Sequence, residues 1–298
     1  MAVQTHRAEP RSPIPERRSP RKLRERIANI ALELLMFALL VFFLAPTLWM
    51  ISSSLKVSNE IFASPIVWIP ENPQWGNYVK IFEVLPLWRF TWNTFVVVAL
   101  AVAGTVISSA LVAYSFARIN WPGRDIWFSL LLATMMLPDV ITLVPRFVLF
   151  TNFGWINTWL PLIVPYWTAT TAIYVFLMRQ FFRGIPYELE QAAMIDGAGR
   201  LRILFQLILP LSVPVLATVA VFAIIQHYND FLNPLIYINS QSLWTLSLAL
   251  RAYNDTNVSN WELVFAAATF MLFPMVLLFI FAQRYFVQGI ATTGFGGR

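Results

Sequence analysis

Five ionisable side chains interrupt long apolar runs: Glu33, Asp139, Arg146, His227 and Asp230. An ionisable group at membrane depth is costly, so each is a candidate for touching a solute, passing a proton or pairing with another charge. Asp139 and Arg146 lie seven residues apart, two helical turns, so one helix would carry both on roughly one face. For that pair, a link through another span or a water and a contact with solute are both open. Asn229 and Asp230 adjoin near the end of another run. They suit hydrogen bonding to a neighbouring helix or the gating of a solute pathway. His227 suits a packing role, and Glu33 sits close enough to a span end to reach headgroups. Other chemistries are excluded. The chain has no cysteine, so it holds no disulfide, thiolate metal site or thiol nucleophile. Its two histidines, His6 and His227, cannot build a histidine-rich metal site. A P-loop needs a glycine-rich turn ending in Gly-Lys-Ser/Thr to wrap phosphates. The lysines are Lys22, Lys56 and Lys80, and none follows a glycine. Energy for uphill work would therefore come from a separate subunit or an ion gradient.

The elements that position these groups follow from composition. Of 298 residues, 58% are hydrophobic and 12% charged, with a formal net charge of +6. A soluble domain carries about twice that share of charge. The class expected is an all-α polytopic membrane protein. A helix needs roughly 20 apolar residues to cross the hydrocarbon core. Six stretches qualify, at about 28–51, 91–116, 126–150, 160–180, 211–236 and 262–283. Residues 1–27 form a basic, proline-rich tail that cannot bury a core and reads as disordered, not as a cleaved signal peptide. Residues 28–290 form the membrane domain, and 291–298 a second tail. With the N-terminus inside, the inner segments hold sixteen Lys/Arg and the outer ones only Lys56, Lys80, Arg89 and Arg251. The positive-inside rule then places both termini in the cytoplasm. Segments 52–90 and 237–261 become external, and Trp68, Trp75 and Trp88 suit the headgroup layer.

The only long internal loop, 181–210, carries the most information. Pro186 fits the first turn of a helix, where its missing N–H has no partner to lose. Glu188 and Glu190 follow where the helix dipole favours negative charge. Ala192 and Ala193 are small helix formers, and Gly197 and Gly199 can take the left-handed conformation that ends a helix. A second run, Arg200–Leu209, should stop at Pro210. A helix, a glycine elbow and another helix outside the bilayer read either as a structural hairpin or as a docking knob for a soluble partner.

At these residues a resemblance becomes specific. The loop resembles the EAA loop of ABC importer permeases: Gln191-Ala192-Ala193, then Gly197, then Leu207, Leu209 and Pro210. Gln191 replaces the motif glutamate and Leu207 its isoleucine. The text from Glu190 to Ala198 is similar to that of the carbohydrate-uptake permeases. So are Met136-Leu137-Pro138, Val140 to Pro145, the outer turn Gly154-Trp155-Ile156-Asn157-Thr158, the run Asn229-Asp230-Phe231-Leu232, and Gln283 to Gly289. The likeness covers about 28–290 and is nearest the second permease of a maltose-type pair. The final tail, Thr293 to Arg298, departs from that family.

The resemblance implies six transmembrane helices with a cytoplasmic coupling helix. It implies import of a carbohydrate or related polyol across a prokaryotic inner membrane, without covalent chemistry. The partners implied are a second permease, two nucleotide-binding subunits that carry ATP and Mg, and an extracytoplasmic solute-binding protein. No cofactor is implied for this chain. Glu188, Glu190, Gln191, Ala192, Ala193, Asp196 and Gly197 would couple to the ATPase, with Ala193 seated in its cleft. Asp139, Asn229 and Asp230 would line or gate the solute pathway. The rivals are a gradient-driven transporter or channel, for which no internal repeat is evident, and an ABC permease for a different polar solute.

Overall fold

The structure is a computed structural model that describes the backbone of residues 20–255 and 260–294, and side chains from 26–253 and 260–283. The expected tail therefore lies largely outside the described residues, as do 295–298. Among the described residues every regular element is helical. Four helical stretches are long and apolar enough to cross a bilayer, or up to six spans if each of two bent pairs counts as one.

Helix α1, Pro20–Ser54, starts eight residues before the expected edge. It forms a unit of its own as far as Met50. Everything described below lies within residues 51–298. Two short helices follow, α2 (Ser58–Ile61) and α3 (Asn77–Val84). Helix α4, Leu87–Arg118, is continuous over 32 residues and has no internal proline. Small side chains at Ala101, Gly104, Thr105 and Ser108 are buried along it and let neighbouring helices approach closely.

The third, fourth and fifth stretches are not the unbroken spans that apolarity suggests. Helices α5 (Arg124–Thr134) and α6 (Asp139–Asn152) meet at 99°. Pro138 is the cause. It disfavours helical geometry at Leu137 and stands as the extended cap of α6 with ψ 133°. The fourth stretch opens with α7 (Leu160–Ile163), tightens to a 3-10 turn at Val164–Thr168 and passes through Ala169 at φ 54°. It resumes as α8, Ala172–Gly184. In the fifth, α12 (Val213–Tyr228) meets the preceding helical run at 79° across Ser212; the chain breaks again at Asn229–Phe231 and restarts as α13, Leu232–Tyr237.

The internal loop holds α9 (Tyr187–Ile195) and α10 (Arg200–Ile203). A π-turn at Leu204–Ile208 comes next, where the Leu209 N–H reaches back to the Leu204 carbonyl. The wider turn carries the helix past Pro210 through α11, Leu209–Leu211, so the stop falls at Ser212, two residues beyond the expected one. Helices α14 (Leu246–Asp255) and α15 (Trp261–Gly294) complete the chain.

Among the described residues after α1, three buried clusters hold the helices together, and α4 enters each. Ala113, Tyr114 and Phe116 pack with Phe128, Met178, Phe182, Ile203 and Val219. Leu87, Phe90 and Val98 pack with Ile81, Tyr253 and Leu263. Val97 packs with Phe150, Leu162 and Tyr237.

Candidate functional site

The elbow after α8 is fixed by backbone geometry. Pro186 stands before α9 with ψ 131°, outside the helix rather than in its first turn. At the far end Gly197 takes φ 81°. The Gly197 N–H donates to the Met194 carbonyl at 3.0 Å and the Ala198 N–H to Ala193 at 2.9 Å. These two bonds make a complete Schellman turn, which a left-handed residue permits. Gly199 is extended instead, at φ −73° and ψ 163°, contrary to the left-handed role open to it in the sequence.

Glu190 turns inward. It is 1% exposed, and its Oε1 accepts from Arg200 Nη1 at 2.9 Å and from Tyr114 Oη at 3.1 Å. Arg118 Nη1 lies 3.8 Å from Oε2. The same Arg118 donates Nη2 to the carbonyls of Phe182 and Ile185, and its guanidinium lies over the Tyr187 ring at 5.9 Å. A buried carboxylate bridging two arginines thus ties α9 to the end of α4 and to α10. Ala193, Met194 and Ala198 share this inner side and pack against the core. Ala193 is only partly buried there. The outward face carries Glu188, Leu189, Gln191, Ala192, Ile195 and Asp196, with Ile195 86% exposed. An apolar knob ringed by polar groups on a rigid elbow suits a soluble protein partner.

The second group of residues sits where the broken spans meet α4. Asp139 opens α6 and is exposed. It meets Arg146 directly, but through its backbone: Arg146 Nη2 donates to the Asp139 carbonyl at 3.4 Å. Asn229 bonds back onto its own helix, Nδ2 to the Ile225 carbonyl at 2.8 Å. Asp230 caps α13. Its Oδ1 accepts from the Asn233 N–H at 3.2 Å and its Oδ2 from Asn233 Nδ2 at 2.8 Å. His227 is buried, with Nε2 3.5 Å from Thr105 Oγ1 and its ring 4.2 Å from that of Tyr166. Ser108 of α4 grips the break in the fourth stretch. It donates to the Tyr166 carbonyl at 3.0 Å and accepts from the Ala169 N–H at 3.1 Å. Irregular backbone at membrane depth is tolerated only where protein buries it or where it lines a water-filled cavity.

Sequence reasoning missed Tyr166, Trp167 and Tyr237 here, because aromatic residues in apolar runs look like packing. It also missed the role of Asn157, quoted only as text. Asn157 takes φ 61°, and its Oδ1 accepts the N–H groups of Asn239 and Ser240 at 3.1 and 2.8 Å. One asparagine thereby joins the turn after α6 to the segment after α13. Left-handed asparagine is the signal that could have found it.

Residues 106–292 match the family described as binding-protein-dependent transport system inner membrane component. The chain belongs to that family. It is 34% identical over 259 residues to the sulfoquinovosyl glycerol transport system permease protein SmoH of Agrobacterium fabrum, covering 87% of this chain and 91% of that one. It is 32% identical over 246 residues to the diacetylchitobiose uptake system permease protein NgcG of Streptomyces coelicolor, covering 82% and 81%. A crystal structure of a bacterial ABC transporter importing the acidic polysaccharide alginate contains a chain of the same fold. That likeness has TM-score 0.79 at 21% identity and covers 92% of this chain and all of the other. The membership fixes the all-α permease fold and a place in the inner membrane, as the sequence suggested.

Proposed function

We propose that the chain is one permease of a heterodimer that imports a carbohydrate or related polyol, driven by two ATPase subunits that bind ATP and Mg. An extracytoplasmic binding protein delivers the solute, and both termini lie in the cytoplasm. The relatives named above are permeases for sugar-containing solutes, which supports the substrate class. The observation that carries the coupling role is the elbow. It combines an inward side locked by the buried Glu190 hub with an outward side that leaves Ile195 86% exposed. In this reading α9 sits in a cleft of one ATPase subunit through Leu189, Ala192 and Ile195. Closure of the ATPase pair on ATP moves α9 and rocks the spans between inward-open and outward-open states.

The test uses Ile195→Glu and Gly197→Pro in the complete complex. The first places a charge on the outward knob without disturbing the buried hub. The second removes the N–H that Gly197 donates and forbids its φ of 81°. Both should weaken co-purification of the ATPase and abolish solute-stimulated hydrolysis while leaving the permease pair assembled. Normal co-purification and normal stimulation with both variants would remove the basis for a coupling role.

A further inference from the structure

Among the buried donors left without a hydrogen-bond partner are one on Arg146 and one on Tyr237. Arg146 Nε is buried with no hydrogen-bond partner. The one bond its guanidinium makes among the described residues is the 3.4 Å contact to the Asp139 carbonyl. No carboxylate lies within 4.0 Å of it among those residues. Tyr237 is 1% exposed, and its hydroxyl is buried without a partner. The Tyr237 ring stacks on Phe147, the residue after Arg146, with centroids 6.4 Å apart, and meets Phe150 edge-on at 5.3 Å. Arg146 is within electrostatic reach of Tyr237, Tyr166 and Asp230.

Among the described residues no carboxylate pairs directly with the guanidinium. Both Asp230 oxygens are held by Asn233 at the start of α13. Asp139 stands in the first turn of α6, where the helix dipole already favours its charge. A guanidinium can donate five hydrogen bonds, and at membrane depth its charge requires a partner. The Tyr237 phenol, stacked on the neighbouring Phe147, adds a further donor. Donors without acceptors, on a cation that no carboxylate contacts directly among the described residues, fit an oxyanion.

We infer that Arg146 and Tyr237 form an anion subsite in the solute pathway, so that the imported sugar carries a carboxylate, sulfonate or phosphate group. This rests on the importer reading above. Arg146 would take the group through two N–H donors and Tyr237 would add its O–H. The Asp139 carbonyl keeps the guanidinium in place.

The test is ATP-driven uptake into vesicles holding the permease pair, ATPase and binding protein. The probes are glucose and its acidic matches: glucuronate, glucose 6-phosphate and glucose 6-sulfonate, each free and as a methyl glycoside. An acidic probe should be taken up in preference to glucose. Arg146→Gln should lower that uptake about tenfold or more, the scale of one lost charge-assisted bond. Arg146→Lys should retain more than Arg146→Gln, and Tyr237→Phe should lose a few-fold while assembling normally. Uptake of glucose in preference to every acidic probe, with Arg146→Gln unchanged, overturns the anion subsite and leaves the importer standing. Loss of pairing with the second permease in Arg146→Gln, with Tyr237→Phe silent, overturns it too, and assigns the arginine to the subunit interface. Uptake of no probe, with no solute-dependent ATP hydrolysis, removes the importer reading and this subsite together.

Discussion

Replacing Glu190 by alanine should unfasten the elbow from the membrane domain. The carboxylate accepts at 2.9 Å from Arg200 and 3.1 Å from Tyr114, and stands 3.8 Å from Arg118. Arg200 is half exposed and can turn to water, so its loss is small. Arg118 has a side chain only 5% exposed and stays buried as an uncompensated cation. Breaking one partner of such a buried pair costs about 3–5 kcal/mol. Glu190→Gln keeps the shape and an acceptor for Tyr114, and should cost about 1–3 kcal/mol. The assay is thermal unfolding of the purified permease pair, with ATPase co-purification read in parallel. In a double-mutant cycle, Glu190→Leu with Arg118→Met should cost less than the sum of the two singles by about 1 kcal/mol or more. A loss under about 1 kcal/mol for Glu190→Ala, or strict additivity in the cycle, would refute the claim that this hub anchors α9.

Three other outcomes are expected. A Cβ added at Gly104 would lie 2.4 Å from Trp167 Cδ1, so Gly104→Ala should lower the unfolding temperature and Trp167→Phe should not restore it fully, whereas Trp167→Ala should. Because Asp230 serves as a helix cap, Asp230→Ala should cost about 1 kcal/mol and Asp230→Asn almost nothing in stability; loss of uptake in a well-assembled Asp230→Asn would instead assign the carboxylate to solute. Cysteines at Asn72 and Gln191, both exposed, should label with an impermeant thiol reagent in opposite fashion, the first in intact cells and the second only after permeabilisation; the reverse pattern would invert the topology.

The elbow was legible because its determinants are local. Pro186, two early glutamates, small residues and Gly197 each constrain their own backbone, and α9 with its Schellman turn follows. The direction in which Glu190 points was not read, although Glu190, Ala193 and Met194 share a face at i, i+3 and i+4. Its partners Tyr114 and Arg118 lie more than seventy residues upstream, and no local pattern names them. The broken spans were hidden for a different reason. Apolarity reports residence in lipid, not continuity of the helix. Proline does not settle the matter either, since Pro138 ends up in a sharp break while Pro145 and Pro274 lie inside unbroken helices. The break in the fourth stretch is supported from outside it: the freed backbone at Tyr166–Ala169 is taken up by Ser108, a residue on another helix.

Those connections converge on α4, and that has a mechanical consequence. At its C-terminal end Arg118 and Tyr114 grip the Glu190 hub. In the middle Thr105 and Ser108 hold His227 and the fourth-stretch break. Toward the other end Asn93 donates to the carbonyls of Ser242 and Trp244 at 2.9 Å each, and Thr94 accepts from the Leu246 N–H at 2.7 Å. Helix α4 runs unbroken over 32 residues and carries no proline. In the coupling reading, displacement of α9 either carries α4 with it or breaks the buried hub, at about 3–5 kcal/mol. Several stretches that pack against α4 contain breaks, at Met135–Pro138, Val164–Thr171, Ser212 and Asn229–Phe231. Repacking at breaks costs less than bending a continuous helix, because the backbone bonds are already interrupted there. Rigid transmission along α4 and compliance in its neighbours would deliver motion from the elbow to the residues around Arg146 and Asp230.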